Sequence, residues 1–516
     1  MNPSRTYIGL ALSLALGLLG LHLAVHPAGF ELQRDEYLYL ADGRHLAWGY
    51  MEMPPLTALL AYTVHLAGNP LWMVRFWPAL FGSLTLLAAA ALLRKLGGGL
   101  FALLLLAAAY IVSAYLRLNL LFQPNSLDVL LWTLVAYEGV SYIQHPDPRR
   151  WLRLGLWFGL GMLNKYTMGF LVLGVLAAWT LERRREVLGS SWFWAGAILA
   201  FGIWLPNLMW EWQQGFPFFH HMQLLEDGQL QRQGPWAFFT GQVLFLAGSL
   251  LLWLPGLLSL FFSSWAKPFR MWGWVCLVVL LLLDLLHGKA YYSFGLYPAL
   301  MAFGARYWEK TCQSWKHPAW RWALFSPVVL LTVPLLPLLL PVWNPVRTAA
   351  YCRPFGPTGL LRWEDGRNHP LPQDYADMIG WKELAMKVAR SWKHLSPQQR
   401  AHTLIFCDNY GEAGALDFYG PKLGLPEAYS DNASFLYWLP GSLTSRNLIL
   451  VSPDTMEQTH SFARDMDSLR VLGRIRNPLA RECGTRIYLF YGLHPAFERM
   501  LERKLSRDRA AADYLK

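Results

Sequence analysis

LWMVRFWPALFGSLTLLAAAALL, residues 71–93, is a predominantly apolar run long enough to cross about 30 Å of hydrocarbon as a helix, and Arg94-Lys95 follow it at once. Working outward, comparable runs occupy 7–25, 99–115, 126–142, 192–209, 236–262, 271–286 and 322–342. Shorter ones at 151–163, 166–181 and 291–305 bring the expected total to about eleven spans. The first run follows Arg5 but carries no small-x-small cleavage site, so it reads as an uncleaved span rather than a signal peptide.

Composition supports a membrane chain. Charged residues make up 15% of the 516, against about a quarter in soluble domains, and 26 Trp and 23 Tyr suit interfacial aromatic belts. The net charge of +11 does not describe a nucleic-acid surface, because the cations lie in short loops between apolar runs. With a cytoplasmic N-terminus, the inner loops hold Arg94-Lys95, then Arg149, Arg150 and Arg153, then Arg183 to Arg185, then Lys267 and Arg270, then Arg306, Lys310, Lys316 and Arg321. The opposite loops hold only scattered cations, so an odd number of spans leaves the C-terminus outside the cytoplasm.

Near residue 344 the composition becomes that of a soluble domain. Division into a membrane domain, 1–343, and an extracytoplasmic α/β domain, 344–516, is therefore expected. Residues 403–407, 447–451 and 486–491 read as short buried strands between amphipathic helices. Asp408-Asn409-Tyr410-Gly411-Glu412-Ala413-Gly414 lies between a strand and a helix. It lacks the GxGxxG spacing, so a tight turn is the stronger reading and an anion site the weaker. The five cysteines show no CxxC spacing; Cys352 and Cys483 either pair outside the cytoplasm or, more simply, stay free.

The topology gathers the polar residues on one side. The first outer loop, 26–70, contains Arg34-Asp35-Glu36-Tyr37 and Tyr50-Met51-Glu52-Met53-Pro54-Pro55, and Arg117, Gln123, Asn125 and Asp128 end the third and fourth spans. Asn164-Lys165-Tyr166, His220-His221, Arg232 and His287-Gly288-Lys289-Ala290-Tyr291-Tyr292 emerge on the same side. Carboxylates to take a proton, with Lys, Arg and Tyr to hold a phosphate, form an inventory for group transfer from a phosphorylated lipid. An ionisable residue at the edge of hydrocarbon is functional by default, and Asp128 is the sharpest case. Blander roles stand beside these. Asp35-Glu36 suits a helix N-cap, His220-His221 an aromatic interface, and Lys165 and Lys289 snorkelling to headgroups. Pro334, Pro337 and Pro341 suit a kinked or ended last span.

Asp35-Glu36 after the first span, Pro54-Pro55-Leu56, Gly161 to Tyr166, Leu121 to Pro124 leading to Asp128, Lys289 to Tyr292, and Asp408 to Ala415 with Tyr419-Gly420 together resemble class-C (GT-C) membrane glycosyltransferases of family 39. That family includes protein O-mannosyltransferases and lipid A aminoarabinose transferases. The resemblance implies a multi-pass GT-C fold in the inner or plasma membrane. It also implies a polyprenyl-phosphate sugar donor without nucleotide cofactor, and a lipid, glycan or protein acceptor at the outer face. Asp35, with Glu36 and Asp128, would be catalytic in an inverting displacement; Lys289, Tyr292, Arg232 and Lys165 would hold the donor phosphate. Glu52 and His221 would bind a divalent cation, although two ligands are a weak metal signal. Met53 stands where the aminoarabinose enzymes have Lys before Pro-Pro, which argues against their particular substrate. The alternative is a transporter or flippase of a lipid-linked glycan, for which internal repeats and mid-depth charges would be expected.

Overall fold

The computed structural model describes residues 3–25, 29–182, 185–228, 236–315, 317–440, 445–455 and 466–512. Two compact units emerge: Met1–His26, Leu71–Met209 and Glu226–Leu340 in one, and Pro27–Pro70, Trp210–Leu225 and Pro341–Lys516 in the other. This division differs from 1–343 against 344–516 chiefly in grouping the first loop with the C-terminal residues.

The first unit is helical. Five described helical segments are long and apolar enough to cross a membrane: Ser4–Ala24, Leu71–Lys95, Ser191–Gln213, Lys267–Leu285 and Ala319–Leu339. A sixth span forms if the pair Ala237–Phe245 and Leu250–Phe262, bent by 115°, is counted as one. Several of the expected eleven fold as shorter helices, such as Arg150–Asn164, Met168–Leu181 and Tyr297–Cys312.

The 236–262 run was expected to be continuous, but it breaks before Ser249. A backbone group freed there finds a partner, since Phe245 carbonyl accepts from Ala114 N–H at 3.1 Å, and the Ser249 side chain ties the break to its neighbour by donating from Oγ to Ala109 carbonyl at 2.6 Å. A broken helix is tolerated in hydrocarbon only when its freed groups are satisfied in this way. The second half then packs backbone to backbone on Tyr297–Cys312. A Cβ at Gly304 would lie 1.9 Å from Leu252 carbonyl oxygen, and one at Gly256 would lie 2.0 Å from that of Leu300. The last span is subdivided near its prolines into Phe325–Leu330, Val333–Leu335 and Leu336–Leu339.

The second unit contains a five-stranded sheet: β1 (Thr403–Cys407), β2 (Tyr429–Ser430), β3 (Asn447–Ser452), β4 (Met466–Arg474) and β5 (Arg486–Leu493), in the order β2-β1-β3-β5-β4. β1 pairs in parallel with β2 and β3, while β5 is antiparallel to β3 and β4. The three expected strands are the buried ones. β4, mostly exposed at the sheet edge, has no clean alternation to mark it. All five cysteines are free, Cys483 exposed and the others buried, so the Cys352–Cys483 pairing is not formed.

The first loop is built into this unit as helices Arg34–Asp42 and Leu56–Leu66. Glu31 fastens it: one carboxylate oxygen accepts from Gly380 N–H at 3.0 Å and the other from Lys382 N–H at 2.6 Å. Tyr419 Oη donates to Glu31 at 3.2 Å. Helix Tyr410–Leu423 packs against Arg34–Asp42 through a glycine face, since a Cβ at Gly414 would lie 2.9 Å from Tyr37 backbone and side-chain atoms.

Candidate active site

Each unit holds one cluster of the expected residues. In the loop-bearing unit, Gln33 caps helix Arg34–Asp42 with a capping box. Glu36 is fully buried and its Oε2 accepts from Gln33 N–H at 2.7 Å, so this carboxylate is engaged in capping. Asp35, half-buried in the same first turn, points elsewhere: its Oδ1 accepts from Tyr410 Oη at 2.8 Å. Arg34 lies over the Tyr410 ring, 4.4 Å from guanidinium carbon to ring centroid. Its buried charge is held by the field of Tyr410, Glu482, Asp377 and Asp35, which outweighs the desolvation that would lower its pKa.

The Asp408–Gly414 stretch proves to be a helix start. Asn409 accepts from Gly411 and Glu412 N–H at 2.9 and 3.1 Å, and Glu412 reaches back to Asn409 N–H. The helix end is thus capped by its own side chains, in line with a structural role for the turn.

Glu52 is buried beside Asp42. Its Oε2 accepts from Ser434 Oγ at 2.8 Å, and the Glu52 and Asp42 carboxyls face each other closely enough to share a proton. Burial raises the pKa of both carboxyls, and for Asp42 the Glu52 charge raises it further. His221 lies on helix Pro217–Gly228. Among the described residues no group of three or more His, Cys, Asp and Glu side chains is arranged to hold a metal.

In the helical unit, Asp128 sits in the first turn of helix Asn125–Gln144, 3% exposed, and accepts from Trp132 Nε1 at 3.0 Å and Thr167 Oγ1 at 2.9 Å. Lys165, at the C-cap of Arg150–Asn164, donates to Asn125 Oδ1 at 2.5 Å. Its Nζ lies 4.7 Å from the Tyr292 ring centroid and 5.0 Å from that of Tyr291. Asp128 and Lys289 are both within its electrostatic reach. Asp128, Lys165, Lys289 and Tyr292, expected from three separate segments, therefore share one neighbourhood. Arg232 lies outside the described residues.

Sequence reasoning missed Asp42 and Thr167, and it cited Tyr410 only within a turn motif. Asp42 had a signal, since it stands seven residues after Asp35 and so on the same helical face. Thr167 had none, because a threonine two residues after a lysine is unremarkable until its hydroxyl meets Asp128.

Residues 52–210 match the family model described as dolichyl-phosphate-mannose-protein mannosyltransferase. No curated protein matches the sequence. Among solved structures, ArnT from Cupriavidus metallidurans bound to undecaprenyl phosphate has a TM-score of 0.59 at 15% identity, covering 94% of this chain and 98% of that one. Its apo form scores 0.59 at 16% identity with the same coverage. The oligosaccharyltransferase AglB from Archaeoglobus fulgidus, with an inhibitory peptide and a dolichol-phosphate, scores 0.50 at 10% identity, covering 87% of this chain and 69% of that one. The chain thus shares the multi-pass GT-C fold of these structures over nearly its whole length, and its residues 52–210 are similar to the mannosyltransferase family.

Proposed function

We propose that this chain moves one sugar from a polyprenyl-phosphate donor to a lipid, glycan or protein acceptor at the outer face of the membrane, inverting the anomeric centre. The observation that carries the reading is Asp35: a half-buried carboxylate fixed by Tyr410, rather than spent on capping as Glu36 is. In the displacement the acceptor hydroxyl oxygen forms the new bond to the anomeric carbon and the bond from that carbon to the phosphate oxygen breaks. The phosphate leaves with the electron pair, and Asp35 takes the hydroxyl proton. Charge builds on the departing phosphate, where a lysine flanked by phenols lowers the barrier more than it stabilises bound donor. Lys165 with Tyr292 has that composition, and Lys289 adds a second cation. Asp128, bonded to Trp132 and Thr167 and attracted to Lys165, acts by holding this cluster. The similarity of the fold to that of a structure bound to undecaprenyl phosphate supports the donor class.

A divalent cation fits the chemistry of Glu52, whose carboxyl faces that of Asp42, two oxygen donors whose paired charges a cation would neutralise. Asp42 and Glu52 would hold it, and it would supply positive charge for a phosphate. The proposed orientation puts the N-terminus in the cytoplasm and the C-terminal residues outside, as the loop cations indicate.

Purified full-length protein in liposomes, given undecaprenyl phosphate carrying a radiolabelled sugar and an envelope extract as acceptor, tests both points. Label should pass to the acceptor, and Asp35→Asn should reduce transfer at least about 1000-fold at unchanged protein level. Full activity of Asp35→Asn would remove Asp35 from this role, and unchanged turnover in excess chelator would remove the cation.

A further inference from the structure

We infer that Tyr410, contributed by residues more than 370 positions downstream, is the positioning residue that sets the orientation and basicity of Asp35. The inference rests on the catalytic reading of Asp35. A carboxylate at a helix N-terminus can rotate about its last torsion, and a base that must meet a hydroxyl in one direction gains from having that rotation stopped. Two of its contacts restrain this residue. Asp35 N–H donates to Gln33 Oε1 at 2.9 Å, which fixes the main chain, and Tyr410 Oη donates to Oδ1 at 2.8 Å, which fixes the carboxylate plane.

The phenol is itself held. Arg34 covers its ring at 4.4 Å, and Asn409, the preceding residue, caps the helix that Tyr410 begins. Gly411 must lack a side chain for Arg34 to lie there, since a Cβ would stand 2.6 Å from Arg34 Cγ and 3.0 Å from the Trp381 ring. Each residue of Asn409-Tyr410-Gly411 thus serves one contact: cap, hydrogen bond, and room for the arginine. A phenol donating to a carboxylate also stabilises the charged form, so removing it makes the base both misaligned and easier to protonate. The charged and titratable groups facing Asp35 and Tyr410 are Arg34 and Tyr39 on the loop helix and Asp377 and Glu482 from the C-terminal residues.

The test compares wild type, Tyr410→Phe and protein with 3-fluorotyrosine at position 410, all full-length in liposomes. Tyr410→Phe keeps the ring under Arg34 and removes the hydroxyl. It should lower kcat about 10- to 100-fold and change KM for the lipid donor less than about threefold, with the acidic limb of the pH–rate profile moved upward. Fluorotyrosine, nearly isosteric and a stronger donor, should move that limb downward with kcat retained; it supplies the readout if the phenylalanine variant folds poorly. A limb that stays put in the folded variants overturns the positioning role. If Asp35→Asn is inactive while Tyr410→Phe matches wild type in kcat and pH profile, this inference fails and the catalytic reading stands. If Asp35→Asn is fully active, both fail.

Discussion

Asp417 shows how a single buried carboxyl couples this protein to pH. It lies on helix Tyr410–Leu423, 3% exposed; its Oδ1 accepts from Ala428 N–H at 3.0 Å, while Oδ2 is buried without a partner. Burial pushes its pKa from 3.8 up to about 7. The folded state therefore favours the protonated form: the stabilisation is complete below about pH 4 and is lost as pH rises through 7. Between pH 5.5 and 8 the surrounding helix and sheet should lose about 2 kcal/mol of local stability, read as faster hydrogen exchange after correction for intrinsic rates. Asp417→Asn keeps the acceptor for Ala428 and should flatten this dependence, raising protection at both pH values and by more at pH 8 than at pH 5.5. Neither oxygen's surroundings were visible in the sequence, where Asp417 falls between the Asp408–Ala415 stretch and Tyr419-Gly420. The sequence marked Asp35-Glu36 as an acidic pair with a capping and a catalytic use open to it, and the structure divides the pair between capping by Glu36 and the Tyr410 contact of Asp35.

At the scale of elements, legibility followed periodicity and capping chemistry. β1, β3 and β5 are apolar runs between turns, so pattern alone predicted them. The break in 236–262 left no such trace, since its partners, Ala114 N–H and Ala109 carbonyl, lie more than a hundred residues away in sequence. Close packing follows from that break. Gly304→Val would drive a side chain into the Leu252 carbonyl, and should cost at least about 3 kcal/mol, seen as a lower melting temperature in detergent. Gly20→Ala, which meets open space within the protein, should leave the melting temperature unchanged.

For the whole molecule, the proposed orientation makes Cys483 a reporter. It is an exposed, free thiol among four buried ones, so a membrane-impermeant maleimide added to intact spheroplasts should label the chain, and Cys483→Ser should abolish the labelling. Labelling only after the membrane is opened would place these residues on the inner side. The sequence by itself determined that this chain crosses a membrane, that its cations favour one orientation, and which segments carry the reactive residues. These follow from properties each segment carries alone: length, hydropathy, charge and motif. Only the tertiary structure decided that Lys165 meets Tyr292, that Glu52 shares its burial with Asp42, and that Asp35 is answered by Tyr410. The reason is geometric. A hydrogen bond depends on ångströms and angles between groups that the chain separates by up to hundreds of residues, and no local pattern encodes that distance.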